Sequence, residues 1–306
     1  MKQNCEVKIM STDLFYGATR QAQIEKVNVA AQEVALPNIE DLPIVVEIDN
    51  ISQYNNEVYA LLRRNGFGGS DSSVLLGVNP YKTLDELIKE KATDKLSEEE
   101  KAVGEKVAVR KGNDLEPLII DKFSKFFGVR TIKPIDMYKF KEYPFLKMNF
   151  DGVATPENER PYPVEIKVCT YYGEKHYNPA KAIFREVDGF QPLPLDISDR
   201  NISIENKAAH YGIPPYYYTQ IQAEMMALDA PYGLLSVLFD KTWQLMTFMI
   251  WKDTAVQNQI ILNGYKAWQK VEELRAANGV DLSINTILAN ASVQAEENYK
   301  RDLDVD

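Results

Sequence analysis

From Lys101 to Phe127 the apolar residues Val107, Leu115, Ile119, Phe123 and Phe126 recur at helical spacing, and beyond Phe127 the period shortens to that of strands. The spacing predicts helices over Asn56–Arg64, Asp71–Leu76 and Leu84–Lys95, and Pro117 in the longer helical run marks either a fresh first turn or a kink. Strands are expected over Arg130–Phe140, Leu146–Ala154 and Tyr162–Val168. A helix over Tyr216–Leu228, strands over Leu234–Leu238 and Leu245–Trp251, and a long helix over Thr254–Ala277 complete the series. Residues 173–212, polar and broken by Pro and Gly, read as a long loop or insertion. Helices before and after strands, then helix, strands and helix again, describe an α/β fold with a mixed central β-sheet flanked by helices.

Three segments follow from charge and period. Residues 1–50 show no sustained period beyond a short strand over Pro43–Ile48, and carry eight Asp/Glu against four Lys/Arg; they read as an N-terminal appendage. Residues 281–306 carry six acids against two bases, an acidic C-terminal tail. Most of the formal charge of −10 therefore lies in the flanks, and the domain over residues 51–280 is near neutral, which leaves room for a local basic groove. A 45% hydrophobic composition over 306 residues supplies a core. No apolar stretch approaches the ~18 residues of a membrane span, and the first residues lack the layout of a signal peptide, so the expected location is cytoplasmic with no membrane partner. Two cysteines, Cys5 and Cys169, and two histidines, His176 and His210, argue against a zinc site. A metal here would be held by oxygen, which suits Mg²⁺ or Mn²⁺.

The candidate chemistry lies in MNFDGVA and PVEIKV. Side chains two apart on a strand share a face, so Glu165 and Lys167 point one way and Val164, Ile166 and Val168 the other. A hairpin joining Leu146–Ala154 to Tyr162–Val168 would bring Asp151 alongside Glu165. Two converging carboxylates suit a divalent ion that polarises a phosphodiester, with Lys167 positioning the attacking water. The plain alternative is a solvated cross-strand ion pair.

In RRNGFGGSDSSVLLGVNPYKT the absence of a following GK[ST] argues against a nucleotide loop. Ser70 is expected to N-cap the helix that follows, and a capped helix start with free N–H groups, a hydroxyl and the nearby Arg63 also suits a phosphate. On the helix over Tyr216–Leu228, Tyr217, Gln220 and Glu224 lie on one flank, whereas Gln222 is turned about 160° from Gln220. Tyr216–Tyr218, Tyr171 and Tyr172 are either core or a stacking surface for unpaired bases.

Four blocks in order carry a resemblance: residues 63–71 with GVNPYKT behind them, GNDLEP (112–117), Phe150-Asp151-Gly152 with Glu165-Ile166-Lys167, and PYYYTQIQ (215–222). Together they resemble the YqaJ-type viral recombinase or phage lambda exonuclease family within the PD-(D/E)xK nuclease superfamily. The resemblance implies a restriction-endonuclease-like core and a Mg²⁺-dependent exonuclease that hydrolyses one strand of duplex DNA from a 5′-phosphorylated end. It implies Asp151, Glu165 and the Ile166 carbonyl as metal ligands, Glu116 acting on the metal directly or through water, and a pair of ions in all. Lys167 becomes the catalytic lysine, Gln220 approaches the active site with Tyr217 lining it, and Arg63 and Ser70 hold the 5′-phosphate. Without the resemblance, Glu116 reads as an exposed first-turn glutamate before Pro117, and the Gln220 helix as a generic amphipathic one. Further implications are a homo-trimer around DNA, a single-strand annealing protein as partner, and a phage or prophage origin in a bacterial host cell. Competing readings of the same scaffold are a structure-specific or restriction-type endonuclease and a non-catalytic DNA-binding or phage-assembly protein.

Overall fold

The computed structural model describes residues 46–48, 56–102, 106–157 and 159–303. Apart from strand β1 (Val46–Ile48), the appendage read over residues 1–50 lies outside the described residues. Helix α1 (Asn56–Arg63) leads through a 3-10 turn (Gly69–Asp71) into α2 (Ser72–Leu75), followed by α3 (Leu84–Lys91), α4 (Glu98–Lys101) and α5 (Val107–Phe127). Five strands come next: β2 (Arg130–Ile132), β3 (Tyr138–Phe140), β4 (Lys147–Met148), β5 (Val153–Thr155) and β6 (Tyr162–Cys169). The hairpin β7 (Phe184–Arg185) and β8 (Gly189–Phe190), helices α6 (Ile204–Tyr211) and α7 (Pro215–Leu228), strands β9 (Tyr232–Phe239) and β10 (Gln244–Trp251), and helices α8 (Thr254–Asn278) and α9 (Ile284–Leu303) complete the described chain.

The fold is α/β, with a mixed central sheet of seven strands in the order β2-β5-β6-β9-β10-β7-β8. Within this sheet, among the described residues, only β6 and β9 pair in parallel, Glu165 opposite Leu235 and Lys167 opposite Val237; α6 and α7 lie in the connection between them. Both α5 and α7 pack on β6. A parallel strand covered on both faces is buried over most of its length, which is why Glu165 is 1% exposed although it lies on the polar face of the expected alternation. Gly233 lets α7 close on the sheet: a Cβ there would come within 2.6 Å of Ile221 Cγ2 and 3.1 Å of Pro163 Cγ.

Several expected boundaries move. The strand expected over Arg130–Phe140 divides at Pro134, which has no N–H for a ladder, into β2 and β3 of different sheets. Leu146–Ala154 divides likewise, β4 joining β1 and β3 in a small sheet while β5 joins β6, so the chain crosses between sheets at residues 149–152. Residues 173–212, read as a long loop or insertion, are not loop throughout: they contribute β7 and β8, which extend the central sheet beyond β10, and α6. Short strands of two residues carry no legible period, which is why the sequence pattern misses them. Helix α5 runs unbroken through Pro117, placing Glu116 mid-helix and buried rather than exposed in a first turn. Much of the segment read as an acidic tail is α9, whose Ile287 packs with Leu282, Val58, Leu62 and Met137. No described helix is long and apolar enough to cross a membrane.

A buried polar knot ties α6, α7 and α8 together. The Asp253 carboxylate, fully buried, accepts from Lys207 Nζ at 2.5 Å and Tyr218 Oη at 2.9 Å, and it caps α8 by accepting the Val256 N–H at 3.1 Å. Gln222 joins it, its Oε1 accepting the Asp253 N–H at 2.8 Å while its Nε2 donates to the Trp251 carbonyl at 2.8 Å. Asp253→Ala would strand the Lys207 ammonium in the core and remove a helix cap, so chemical denaturation should register a loss of about 3–5 kcal/mol; a change under about 1 kcal/mol would show that the knot does not hold the three helices.

Candidate active site

The site is built where β5 stops short of β6. Strand β5 reaches only as far as Val153 opposite Pro163, so farther along β6 the Ile166 N–H and C=O face an edge with no ladder partner from β5. Asp151, in the crossing between sheets, fills that edge: its Oδ2 accepts the Ile166 N–H at 3.1 Å, and the Gly152 carbonyl accepts the Val164 N–H at 2.9 Å. Lys167 then turns its ammonium back over the same edge. Its Nζ donates to the Ile166 carbonyl at 3.0 Å and to Asp151 Oδ2 at 3.3 Å, and forms an ion pair with Glu165 Oε1. Three oxygens from two segments thus surround one positive charge.

The far side of Glu165 is closed by α7. Gln220 Nε2 donates to Glu165 Oε1 at 2.6 Å and to Glu224 Oε1 at 3.0 Å, and Lys167 Nζ stands 5.5 Å from the centroid of the Tyr217 ring, a cation–π contact. Gln222 points the other way, into the Asp253 knot. Glu165 and Glu224 are each 1% exposed, and Glu165 Oε2 has no hydrogen-bond partner among the described residues. Burial above all, then the Asp151 charge, pushes the Glu165 carboxyl up to about 7, while Lys167 and a hydrogen bond with Glu224 work against the rise. Burial and the neighbouring Glu165 carry Glu224 well above the usual carboxylate range. For Lys167 burial opposes the charge, but Glu165 and Asp151 outweigh it and hold the amine protonated.

These oxygens fit a hard divalent cation: Asp151 Oδ2, Glu165 Oε1 and the Ile166 carbonyl already converge on one cationic point, which the Lys167 ammonium takes. Among the described residues no three Asp, Glu, His or Cys side chains are grouped as metal ligands, the third oxygen here being a backbone carbonyl. Among the described residues, no hydrogen bond or ion pair joins Glu116 to this group. That glutamate is buried on α5 and pairs with Lys133 Nζ at 2.5 Å. Glu224, by contrast, belongs to the cluster and was legible only as a carboxylate one turn beyond Gln220.

The glycine-rich turn lies over the same cluster. A Cβ on Gly69 would stand 3.6 Å from both Gln220 Cγ and Glu224 Oε1 and 3.4 Å from Met148 Sδ, ordinary contact distances that put this backbone against α7. Ser70, next in the chain, is exposed and does not cap the helix as expected; α2 has no side-chain cap, and Asp71 Oδ2 instead closes the preceding 3-10 turn by accepting the Gly68 N–H at 2.9 Å and pairs with Lys91 Nζ at 3.0 Å. Burial acts to raise the Asp71 carboxyl, yet Lys91 and the Gly68 N–H together hold it below its ordinary value. Arg63 is exposed beside the turn, its guanidinium over Tyr59 at 5.8 Å. Arg64 is buried and spent on the Thr93 and Lys95 carbonyls at 2.7 and 2.9 Å and on Glu100. Of the tyrosine run, Tyr218 is core and Tyr216 and Tyr217 are half-buried at the site's margin; the Tyr171 and Tyr172 side chains lie outside the described set.

The chain matches the family described as YqaJ-like viral recombinase domain over residues 58–230, more than half its length. It is 27% identical over 126 residues to the uncharacterized protein YqaJ of Bacillus subtilis (strain 168); that stretch is 41% of this chain and only 37% of the relative. Among solved structures it is similar to LHK-Exo in complex with dAMP (14% identity, 72% of this chain, 96% of that one, TM-score 0.44). It is similar also to the alkaline exonuclease LHK-Exo from Laribacter hongkongensis (14%, 74% and 98%, 0.45) and to a phage related exonuclease from Haemophilus somnus 129PT (14%, 69% and 96%, 0.39). With TM-scores below 0.5, these structures are too loosely alike to bear on the chemistry of this chain.

The raised carboxyls make the cation-free protein sensitive to pH. A folded Glu165 that titrates near about 7, against an ordinary 4.5, keeps a proton the unfolded chain has already released, so stability falls as pH rises across that window. Thermal melts in chelator should show this decline for the wild type and a shallower one for Glu224→Gln, which removes one of the two titrating groups and keeps a donor toward Glu165. Superimposable pH profiles would mean that Glu224 does not act on Glu165.

Proposed function

The chain belongs to the YqaJ-like viral recombinase domain family, and on that footing we propose that it is a metal-dependent deoxyribonuclease of the recombination-exonuclease kind, degrading one strand of duplex DNA from a 5′-phosphorylated end. One observation carries the chemistry: Asp151 Oδ2, Glu165 Oε1 and the Ile166 carbonyl meet at a single cationic point beside an amine held protonated.

Asp151, Glu165 and the Ile166 carbonyl would hold Mg²⁺ or Mn²⁺. When bound, such an ion polarises the phosphodiester and makes water a better nucleophile at neutral pH. The residues of this chain do the rest. Asp151, anchored on the Ile166 N–H, keeps its second oxygen free for a ligand. Gln220 fixes the Glu165 rotamer, so that a charge in a buried strand points at the reaction rather than away from it. Lys167 would supply an ammonium to orient water and offset negative charge gathering on phosphorus. Tyr217 limits where that ammonium can swing. Glu116 supports the site from α5 only if it leaves Lys133, and a second ion is proposed on the same condition.

The end-holding role falls to the turn above. Gly69 packs against Gln220 and Glu224, and the exposure of the adjacent Ser70 and of Arg63 supports this role. An anchored terminal phosphate sets the next phosphodiester at a fixed distance from Lys167, which favours attack from an end.

A time course on end-labelled linear duplex, with and without a 5′-phosphate, tests this reading. Wild-type protein with Mg²⁺ should release nucleotides from the 5′ end, faster when it is phosphorylated; internal cuts indifferent to the phosphate would indicate an endonuclease instead. Lys167→Ala should lower the rate by about 10²–10³-fold or more with DNA binding kept, and undiminished cleavage would remove Lys167 from the mechanism. Ser70→Ala should slow phosphorylated ends more than unphosphorylated ones; equal slowing would deny Ser70 a part in phosphate recognition.

A further inference from the structure

Beside the carboxylate site opens a cleft of about 570 Å³, within the size range of small-ligand sites. Tyr81 and Tyr216 form its aromatic walls, their ring centroids 6.0 Å apart and nearly edge to face. Tyr81 is 79% exposed, an apolar ring left in water. Its backbone is nevertheless fixed. Asn79 Oδ1 accepts the N–H groups of Tyr81 and Lys82 at 2.8 and 3.0 Å, and Asn79 Nδ2 donates to Ser73 Oγ at 2.8 Å. An Asx turn tied to α2 thus presents the ring at low entropic cost.

Position and charge indicate what would cover it. Tyr216 packs on Tyr217 with centroids 4.5 Å apart, and Tyr217 lies under the Lys167 ammonium, so the cleft and the proposed catalytic amine share a wall of two tyrosines. Exposed Lys175 and His176 stand on the rim, donors suited to a phosphate, while Glu205 offers an acceptor to a base amine. Aromatic walls one tyrosine removed from the proposed catalytic amine, with hydrogen-bond donors outside them, match a nucleotide whose base has left the duplex stack.

We propose that this cleft receives one unpaired nucleobase of the strand being cut, stacked against Tyr81 and Tyr216, with its phosphate turned toward Lys175 and His176. The inference rests on the nuclease reading above and adds to it a base-holding site outside the carboxylate cluster. Stacking on a ring is tolerant of sequence, so the site would grip any base rather than read one. It would also keep the parted end from re-pairing while the next bond is positioned.

The test uses full-length protein in chelator and short single strands carrying 2-aminopurine at each of the first four positions in turn, since stacking quenches this base. Quenching should be strongest at one position, persist in Tyr81→Phe, which keeps the ring, and vanish in Tyr81→Ala, whose dissociation constant should rise roughly 5- to 150-fold. An exposed Tyr81 can be replaced without opening the core, and equal melting temperatures would verify that. Quenching that is absent or unchanged in Tyr81→Ala, from a protein that still cleaves duplex DNA with Mg²⁺, would overturn the stacking site and leave the nuclease reading intact. A wild-type protein that neither binds nor cuts DNA would overturn both.

Discussion

A carboxylate buried in the middle of a sheet has to be compensated, and the compensation of Glu165 organises much of this molecule. Its strand is covered on both faces, so water cannot serve. The chain answers with a lysine two residues on, an amide from Gln220 and a neighbouring carboxyl in Glu224 that favours its protonated form. Asp151 and the Ile166 carbonyl complete an arrangement with more negative charge than one ammonium neutralises. Such an excess is costly for a fold, and its persistence at the open edge between β5 and β6 is the physical argument for a cation-dependent site there.

Helix α7 joins this chemistry to the stability of the whole. One flank carries Tyr217, Gln220 and Glu224 to the carboxylates; the opposite flank carries Tyr218 and Gln222 into the knot around Asp253. Gly233 sets the distance of this helix from the sheet, and the turn that bears Ser70 packs on its other side at Gly69. Displacing α7 would therefore loosen the core and detune the site together.

The strand pattern made the pairing of Glu165 with Lys167 legible, because period two and the ladder agree over all of β6. The same was true of β9, β10 and α8, each long enough for its period to register. What escaped was set by distant partners. The divided strands at Pro134 and Asp151 are separated by sheet membership, and β7 and β8 exist only because β10 offers an edge. Ser70 looked like the cap because its side chain suits one, yet α2 has no side-chain cap, and Asp71, one residue later, closes the preceding turn with Lys91 beneath it to offset its burial. Glu116 pairs with Lys133, a contact that local spacing cannot reveal. Glu224 was legible only as a flank-mate of Tyr217 and Gln220 for the complementary reason: a glutamate on the flank of a helix is ordinary until the helix is placed over a buried strand.

The central claim is that Asp151, Glu165 and the Ile166 carbonyl form a cation cage which Lys167 fills when no divalent ion is bound. The most direct measurement is anomalous diffraction from crystals grown with Mn²⁺. A single strong peak bounded by those three groups, with the Lys167 side chain moved off its present contacts, is the expected result. Crystals of well-folded protein in which Lys167 keeps those contacts, and manganese is absent or bound elsewhere, would contradict it.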